Sequence, residues 1–288
     1  MRLVPVQTLT CPHDGAQLSG RGNTLVCANG HSFDRARESY VNLLPVQDKA
    51  SRDPGDSKKM VAARRRFLEA GAYAPIAAAL SGAAIEFITA RDTPRSFTIL
   101  DAGCGEGYYL QALAAHLAAH PSAATLHLAG IDISKWAVRA AAKRALPVTW
   151  AVASNRRPPL LPASTDLILC LFGFPIWPGF ASIQPAGGQV ILCDPGPDHL
   201  IELRAIIYPE VRRTELQAAA PVEGYTPVGE QRVQAAAHLG SAAIIADLLS
   251  MTPHAHRTSS AGRLALASRK SLEITIDVTF RSYARDTA

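Results

Sequence analysis

The feature that most constrains this fold is a glycine-rich turn at residues 103–107. It follows an apolar, β-branched run at 97–100, which has the composition of a buried parallel strand. After the turn, Leu110, Leu113 and Leu117 recur at helical spacing. Glycine is needed where a backbone turns with positive φ and a ligand approaches without a Cβ in the way. The stretch therefore predicts a strand, a ligand-binding turn and a helix whose first N–H groups face the ligand.

The spacing of the glycines and the acids around them distinguish two ligand classes. A dinucleotide fingerprint has the spacing G-x-G-x-x-G, whereas Gly103, Gly105 and Gly107 occupy alternate positions. Asp101 and Glu106 would repel a pyrophosphate, but they suit a ligand that carries an ammonium group and ribose hydroxyls, such as S-adenosylmethionine (SAM). A glycine-rich turn in some other α/β protein is the alternative interpretation.

A second acidic signal, Asp132, ends the next apolar run. An acid at the carboxyl end of the second strand can accept hydrogen bonds from both ribose hydroxyls. A third strand is predicted at 148–152, and Ser154 follows it where this fold binds the adenine edge. The stretch 97–109 resembles the first motif of class I SAM-dependent methyltransferases, Asp/Glu-x-Gly-x-Gly-x-Gly. This resemblance implies an α/β fold with a Rossmann-like class I methyltransferase sheet.

Composition describes a globular chain with one medium domain and an accessory module: 288 residues, of which 48% are hydrophobic and 18% charged. There is no apolar run long enough for a transmembrane helix and no apolar signal-peptide core, so no membrane association is predicted. The formal charge of +5 permits a polyanionic partner without requiring one. Five cysteines, an odd number, favour free thiols or metal ligands in a reducing cytoplasm.

The N-terminal segment carries metal-ligand residue types at short spacing. Cys27 and His31 are separated by three residues, and Cys11 begins an earlier turn, which is the pattern of a zinc ribbon. So short a segment cannot build an adequate core by itself. Asp14 stands where a zinc knuckle would have a second cysteine, so Asp14 or the neighbouring His13 is the predicted fourth ligand. A metal-free ribbon held by packing is the alternative.

The densest basic cluster lies between this module and the glycine turn. Asp56 or Ser57 can cap a helix that runs to about Ala70 and carries five basic residues: Lys58, Lys59, Arg64, Arg65 and Arg66. The cluster is either a solvated helix face or a surface that contacts RNA phosphates, since arginine and lysine supply much of the affinity for nucleic acids. A second helix is predicted from about Tyr73 to about Leu80.

The rest of the chain alternates strands and helices, as a doubly wound sheet does. Strands are predicted at 166–172 and 189–193, and a helix at about 200–208. An alanine-rich helical region follows, and a last strand is predicted at 274–280. The predicted organisation is a zinc-ribbon-like RNA-recognition module over 1–45, linking helices with a basic face over 46–95, and a methyltransferase domain over 96–288.

Several stretches together resemble one family, the bacterial 23S rRNA (guanine-N1)-methyltransferases. They are Cys27-Ala-Asn-Gly-His-Ser-Phe-Asp, Tyr40-Val-Asn-Leu-Leu-Pro-Val-Gln, Ser51-Arg-Asp-Pro-Gly-Asp-Ser, Leu100-Asp-Ala-Gly-Cys-Gly-Glu-Gly-Tyr-Tyr and Pro195-Gly-Pro-Asp-His-Leu. The resemblance covers nearly the whole chain. It implies methylation of a guanine N1 in a hairpin loop of 23S ribosomal RNA. A related branch, linked to macrolide resistance, modifies a nearby guanine, and the Arg-Asp-Pro-Gly-Asp stretch looks more like the housekeeping branch.

The same resemblance implies residue roles. The family's zinc site has three cysteines and one histidine, matched here at Cys11, Cys27 and His31 only. A tyrosine and a histidine of the family contact the cofactor, and they match Tyr73 and His199. A homodimer with a joint RNA cleft is also implied.

Methyl transfer to guanine N1 requires that the N1 proton leave, so a general base would help. His199, Asp53 and Asp56 are the candidates, although each of them could merely bond a loop. Cys104 and Cys170 are interpreted as small core residues, because attack by a ring nitrogen needs no cysteine adduct. Two other functions remain as alternatives: a SAM-dependent methyltransferase of small molecules, and a non-catalytic RNA-binding protein.

Overall fold

The computed structural model describes residues 1–49, 51–90, 96–122, 124–211, 213 and 218–287. The strands are β1 (Arg2–Pro5), β2 (Ser19–Arg21), β3 (Thr24–Val26), β4 (Ser32–Asp34), β5 (Tyr40–Asn42), β6 (Ser96–Ala102), β7 (Thr125–Asp132), β8 (Thr149–Val152), β9 (Leu167–Leu171), β10 (Gln189–Pro195), β11 (Tyr225–Leu239) and β12 (Leu272–Arg285). The α-helices are α1 (Lys58–Glu69), α2 (Ala74–Thr89), α3 (Tyr108–Ala119), α4 (Lys135–Ala142), α5 (Trp177–Ile183), α6 (Ile201–Ile207), α7 (Ala242–Met251) and α8 (Ser260–Ala267).

Within these residues, nine strands form one mixed sheet in the order β11-β12-β10-β9-β6-β7-β8-β5, and β1 also pairs with β7. Most neighbours are parallel, and β12 is antiparallel to both β10 and β11. The carboxyl ends of β6, β7, β8, β9 and β10 therefore meet at one edge, where ligands bind in open α/β sheets. The predicted Rossmann-like class I sheet is confirmed.

The two faces of the sheet are covered differently. One face packs beneath α1, α2, α3, α4, α6 and α7, with Ile99, Leu128 and Leu169 among its buried side chains. The other face packs against α5 and the N-terminal ribbon, with Leu100 and Ile168 among its buried side chains. Period-2 alternation decides which side chains face which layer, and both layers are apolar because the central strands are buried on both sides.

The ribbon is a three-stranded antiparallel sheet, β2-β3-β4. The strands that flank it in sequence belong to the large sheet: β1 pairs in parallel with the first half of β7, and β5 pairs in parallel with β8. A backbone hydrogen bond of 2.9 Å from Thr10 to the carbonyl of Pro159 adds a third connection. The ribbon is therefore inserted between two strands of the large sheet.

The alanine-rich region after Tyr208 is where the predicted secondary structure is wrong. Part of it is helical, in α7 and α8, but residues Tyr225–Leu239 form the long strand β11. Ala235, Ala236 and Ala237 favour helices in isolation. Here they pair with β12, which β11 follows along its whole length, so tertiary pairing overrides local propensity. The second linking helix, α2, also continues to Thr89, beyond the predicted end.

In the described residues, no single helix is long and apolar enough to cross a membrane. Helices α1 and α2 would meet the length and composition criteria only as a pair, and they are bent by 83° at the break between them.

Candidate cofactor pocket and zinc site

The glycine turn has the backbone conformation that its sequence predicts. Gly103, Gly105 and Gly107 have φ values of 93°, 54° and 84°, in the left-handed region that glycine adopts without steric cost. At Gly107 a Cβ would lie 3.0 Å from side-chain atoms of Ala141 and Trp150. Around the corresponding position at Gly103, no described atom lies within 4 Å. The turn therefore forms an open cradle at the start of α3, and this cradle fits a ligand that approaches the backbone closely.

Two carboxylates lie beside this cradle, at the ends of β6 and β7. Asp132 accepts hydrogen bonds from the N–H groups of Gly105 (3.0 Å) and Ser134 (2.7 Å), which fixes its side chain next to the turn. Burial raises the pKa of Asp132. Burial also raises the pKa of Asp101 to about 7, and the charge of Asp132 adds to that shift. A cationic ligand would lower the electrostatic cost of ionising these two buried carboxyl groups, whereas a phosphate would raise it.

Glu106, the third predicted acid of the site, is buried and paired with Arg144, whose side chain is 4% exposed. The Arg144 Nε also donates to the carbonyl oxygen of Glu106, at 2.7 Å. The other carboxylate oxygen, Oε1, has no partner among the described residues. Glu106 thus neutralises a buried arginine beneath the turn, and its contact with a cofactor stays a prediction.

Tyr73 and His199 meet above the ends of β6, β9 and β10, although 126 residues separate them. The N–H of Asp277 donates to His199 Nδ1 at 3.2 Å, so the ring proton is on Nε2 and points to the Tyr73 hydroxyl, 2.9 Å away. Burial lowers the pKa of His199 to about 4. His199 is therefore a neutral donor that orients Tyr73, and it is a poor general base at neutral pH.

Phe172 completes an aromatic cluster at this point. Its ring stacks on Tyr73 (centroids 6.1 Å apart) and on His199 (5.9 Å). Phe172 has a φ of 52° and is 38% exposed, and Phe174, two residues on, is 86% exposed. Exposed aromatic side chains next to a buried aromatic cluster are suitable for stacking against a base.

The two acidic candidates for the general base are both engaged. Asp56 forms an ion pair with Arg64. Asp53 accepts a hydrogen bond of 2.7 Å from Trp136 Nε1 and lies 3.3 Å from Lys135 Nζ. The hydrogen bond from Trp136, followed by the effect of Lys135, lowers the pKa of Asp53 despite partial desolvation. Neither acid presents a free carboxylate beside Tyr73 and Phe172, and their catalytic role stays a prediction.

Ser154, the predicted adenine-edge residue, lies just beyond the end of β8. Its Oγ accepts a hydrogen bond from the N–H of Arg156 at 3.2 Å. It therefore shares the ligand edge of the sheet with Asp132.

The basic cluster of α1 divides into two groups. Lys58 and Lys59 are exposed to solvent. Each of the three arginines has an acidic partner: Arg64 pairs with Asp56, Arg65 with Glu69 and Arg66 with Asp247. An RNA-contacting role for the five residues stays a prediction, and the lysines are the members most available for it.

The predicted metal ligands converge at one point of the ribbon. The ligand atoms of Cys11, Asp14, Cys27 and His31 all lie within 4.8 Å of one another. His31 Nδ1 lies 3.5 Å from Cys11 Sγ, 3.4 Å from Cys27 Sγ and 3.0 Å from Asp14 Oδ2. Tetrahedral zinc with ordinary bond lengths places sulfur about 3.5 Å from a nitrogen or oxygen ligand, and nitrogen about 3.3 Å from oxygen. The four residues therefore fit one zinc ion.

Outer contacts orient the unusual ligand, Asp14. Its Oδ2 accepts a hydrogen bond from Asn29 Nδ2 and its Oδ1 accepts one from the N–H of Ala16, both at 2.9 Å. These contacts, led by that of Asn29, hold the pKa of Asp14 well below its usual value. His13 lies beside this cluster, with its ring centroid 5.0 Å from that of His31; Asp14 is the fourth member of the cluster, and its role as a metal ligand stays a prediction. Partners of this kind fix the orientation of metal ligands.

Comparison with known proteins identifies the family of this chain. Residues 9–52 match the zinc-ribbon family described as "RlmA, N-terminal", and residues 99–183 match the family described as "Methyltransferase domain". A Bacillus subtilis (strain 168) protein named "Putative 23S rRNA (guanine-N(1)-)-methyltransferase YxjB" is 32% identical over 285 residues, which cover 96% of this chain and 97% of that protein. The chain belongs to the 23S rRNA (guanine-N1)-methyltransferase family. The resemblance seen in the sequence is thereby confirmed.

A second relative belongs to the same family. The Streptomyces fradiae protein named "23S rRNA (guanine(748)-N(1))-methyltransferase" is 37% identical over 204 residues, covering 70% of this chain and 69% of that protein. Methyltransferases of this class are SAM-dependent, and the open cradle at Gly103 beside Asp132 fits that cofactor. The match at residues 9–52 includes all four candidate metal ligands, Cys11, Asp14, Cys27 and His31.

Sequence reasoning missed two arginines of the pocket. Arg144 pairs with Glu106 across 38 residues of sequence, and nothing in its local pattern distinguishes it from the basic residues of α4, which ends just before it. Arg64 was predicted as one of five equivalent basic residues, yet it lies against Gly105. The position of Arg64 on the inner side of α1, between Ala63 and Phe67, two buried residues, could have indicated this orientation.

Proposed function

We propose that this chain transfers a methyl group from SAM to N1 of a guanine in a hairpin loop of 23S ribosomal RNA. The observation that carries the proposal is the joint presence, in one chain of a family named for this activity, of the glycine cradle with Asp132 and of the ribbon with its Cys11, Asp14, Cys27 and His31 cluster. A small-molecule enzyme would explain the cradle but not the ribbon.

The protein's part in the reaction is to position the reactants. SAM, when bound, supplies a methyl group on a cationic sulfur that a ring nitrogen can attack in line. Asp132 would accept hydrogen bonds from the ribose hydroxyls, and its contacts with the N–H groups of Gly105 and Ser134, which hold it beside the cradle, support this role. His199 holds the Tyr73 hydroxyl towards the pocket. Fixing two reactants in this way accounts for a large share of the rate enhancement in such transfers.

The target guanine has to leave its stack before its N1 can reach the pocket, because bases in loops are recognised when they are splayed out. Phe172 and Phe174 provide aromatic surfaces at the pocket mouth, with 38% and 86% exposure. His199 is assigned to positioning Tyr73, since both of its nitrogens are engaged.

RNA contacts outside the pocket are proposed for the ribbon and for the exposed lysines of α1, Lys58 and Lys59. Arginines 65 and 66 extend this basic surface while they retain their acidic partners. A homodimer that presents a joint RNA cleft is part of the proposal, supported by the family resemblance. A ribosomal RNA substrate and five cysteines without disulfides also fit a cytoplasmic location.

Methylation of ribosomal RNA in vitro tests the proposal. The purified protein and labelled SAM are incubated with 23S RNA from a strain that lacks the modification, and reverse transcription then maps the product. A methyl group on N1 blocks base pairing, so a new stop should appear one nucleotide before a single guanine of one hairpin loop. The guanine named for the Streptomyces relative, 748, and its neighbours in that loop are the positions to compare. Methyl transfer to small molecules but not to RNA would refute the proposal.

A further inference from the structure

Arg64 lies at the cofactor pocket and not on the outer surface of α1. Its Nη1 and Cδ are 3.7 and 4.0 Å from the position that a Cβ would occupy at Gly105. Burial raises the pKa values of Tyr73, Tyr109 and Asp132, and the charge of Arg64 opposes the rise in all three. The guanidinium is therefore close to the aromatic pocket on one side and to the ribose-binding acid on the other.

The surroundings of Arg64 hold its guanidinium in one place. Nη1 forms an ion pair with Asp56, and Nη2 donates to the carbonyl oxygen of Met251 at 3.1 Å. Asp56 is itself tied to the loop after β7, because Ser134 Oγ donates to its carbonyl oxygen at 2.6 Å. The side chain of Arg64 is 28% exposed. A guanidinium has five N–H groups, so these two contacts leave donors for a ligand.

The charges around the cradle leave one part of SAM without a partner. Asp101 and Asp132 suit the ammonium group and the ribose hydroxyls, but they repel the carboxylate of the methionine moiety. Arg144 is almost fully buried and pairs with Glu106 and Glu69. Arg64 lies against the glycine turn at Gly105, and a guanidinium matches a carboxylate in geometry as well as charge.

We propose that Arg64 binds the carboxylate of the methionine moiety of SAM and that Asp56 and the Met251 carbonyl position it for this contact. The inference rests on the proposed function only in taking SAM as the cofactor. It moves Arg64 from the predicted RNA-binding set into the cofactor site. It also assigns a role to the Arg-Asp-Pro-Gly-Asp stretch at residues 52–56, because the last residue of that stretch, Asp56, positions Arg64.

Calorimetry without RNA tests the contact. The parent protein, Arg64→Gln and Lys59→Gln are titrated with SAM, with S-adenosylhomocysteine and with decarboxylated SAM, which lacks only the carboxylate. Arg64→Gln should weaken binding of the first two ligands by about 10- to 100-fold, the effect of losing one charge-assisted contact. Its affinity for decarboxylated SAM should stay within about twofold of the parent value. Lys59→Gln, which removes a positive charge from the exposed side of the same helix, should leave all three affinities unchanged.

An equal loss of affinity for all three ligands in Arg64→Gln would overturn the inference, since the residue would then act only on the shape of the pocket. Unchanged affinity for SAM would overturn it as well. Arg64→Lys is a milder second variant: it keeps a cation, and it should bind SAM more tightly than Arg64→Gln while binding decarboxylated SAM equally. If the variants show this pattern of affinities and the parent protein methylates no ribosomal RNA, the inference is supported and the proposed function is refuted.

Discussion

The ribbon and the large sheet are stabilised in different ways. The strands of the ribbon have three residues each, and its buried apolar side chains, such as Leu18 and Leu25, pack into a cluster that includes the sheet's own Leu100 and Ile168. The central strands of the sheet are buried on both faces. The ribbon therefore depends on packing against the sheet and is expected to gain further stability from a bound metal, whereas the sheet is maintained by apolar burial.

The comparison also explains where each region tolerates an unusual residue. Asp14 stands where the zinc-knuckle pattern predicts a second cysteine, and it is oriented by Asn29 and Ala16. In the sheet, the unusual features are buried charges, Asp101 and Glu106, at the ligand edge. In the sheet, the buried carboxylate of Glu106 is compensated by Arg144, and that of Asp101 would be compensated by a cationic ligand.

Metal removal should give the largest difference between the two regions. A strong chelator should remove zinc and unfold the ribbon, since metal binding to such small modules contributes on the order of 10 kcal/mol. Cys11 and Cys27 should become reactive towards a thiol reagent, while Cys104, Cys170 and Cys193 stay protected inside the sheet. Elemental analysis and mass spectrometry of labelled thiols measure both effects. Purified protein with no stoichiometric zinc and an ordered ribbon would show that packing alone is sufficient.

Asp14→Cys sharpens the same test. A thiolate is a softer ligand for zinc than a carboxylate, so this variant should keep its metal at chelator concentrations that strip the parent protein. SAM affinity should be the same in both proteins. If Asp14→Cys loses zinc as readily as the parent, the geometry of the turn has become unsuitable for a fourth thiolate.

A pair of glycine substitutions compares strain in the two regions. Gly107→Ala places a Cβ at φ 84° and 3.0 Å from two side chains of the sheet domain. It should lower the free energy of unfolding by roughly 2–4 kcal/mol and abolish tight SAM binding. Gly22→Ala has a similar φ of 62° but nothing within 4 Å among the described residues, so it should cost about 1 kcal/mol. Urea unfolding and calorimetry measure these effects, and equal effects would contradict the predicted crowding.

The raised pKa of Asp101 predicts a pH dependence. Burial raises this pKa from 3.8 to about 7, so the stability that the protonated group contributes is complete below about pH 4 and is lost as pH rises through about 7. A cationic cofactor favours the ionised form. SAM affinity should therefore fall as pH decreases from 7 to 5.5, with proton release on binding. In Asp101→Asn this pH dependence should disappear, and its Tm relative to the parent should be higher at pH 8 than at pH 5.

The smallest effect is expected for the exposed lysines of α1. Lys58→Ala combined with Lys59→Ala should reduce the slope of log affinity for RNA against log salt by about 1–2, the effect of losing one or two phosphate contacts. SAM affinity should not change. Arg269→Ala with Lys270→Ala removes two exposed charges far from α1 in sequence and serves as the control. If the salt slope is unchanged in the α1 variant, Lys58 and Lys59 are exposed to solvent but do not contact RNA.

Much of the sheet was predictable because its strands have local signals. β6, β7, β9 and β10 are apolar runs, and glycine spacing located the turn after β6. β11 was not predictable, because its side chains are mostly exposed and its register comes from β12, more than thirty residues on in the chain. Local propensity carries no information about such a partner.

The residues of the candidate site were also predictable only in part. Asp101, Asp132 and the metal ligands follow from residue type and spacing. The direction of Arg64 does not, because it depends on the rotation of α1 against the glycine turn. The pairing of Glu106 with Arg144 and the hydrogen bond from the Asp277 backbone to His199 join distant parts of the chain, and only the packed structure brings them together.

The pairing of β1 and β5 with the large sheet has a consequence for metal exchange. Residues 6–39, the 34 residues between these strands, form a loop that is closed at both ends by the sheet. A stripped ribbon is then not a free tail but a short closed loop, and most of the chain entropy that separates Cys11 from Cys27 has already been removed. The loop keeps its ligands at a high effective concentration. Metal should therefore return quickly and reversibly when zinc is added back to the stripped protein.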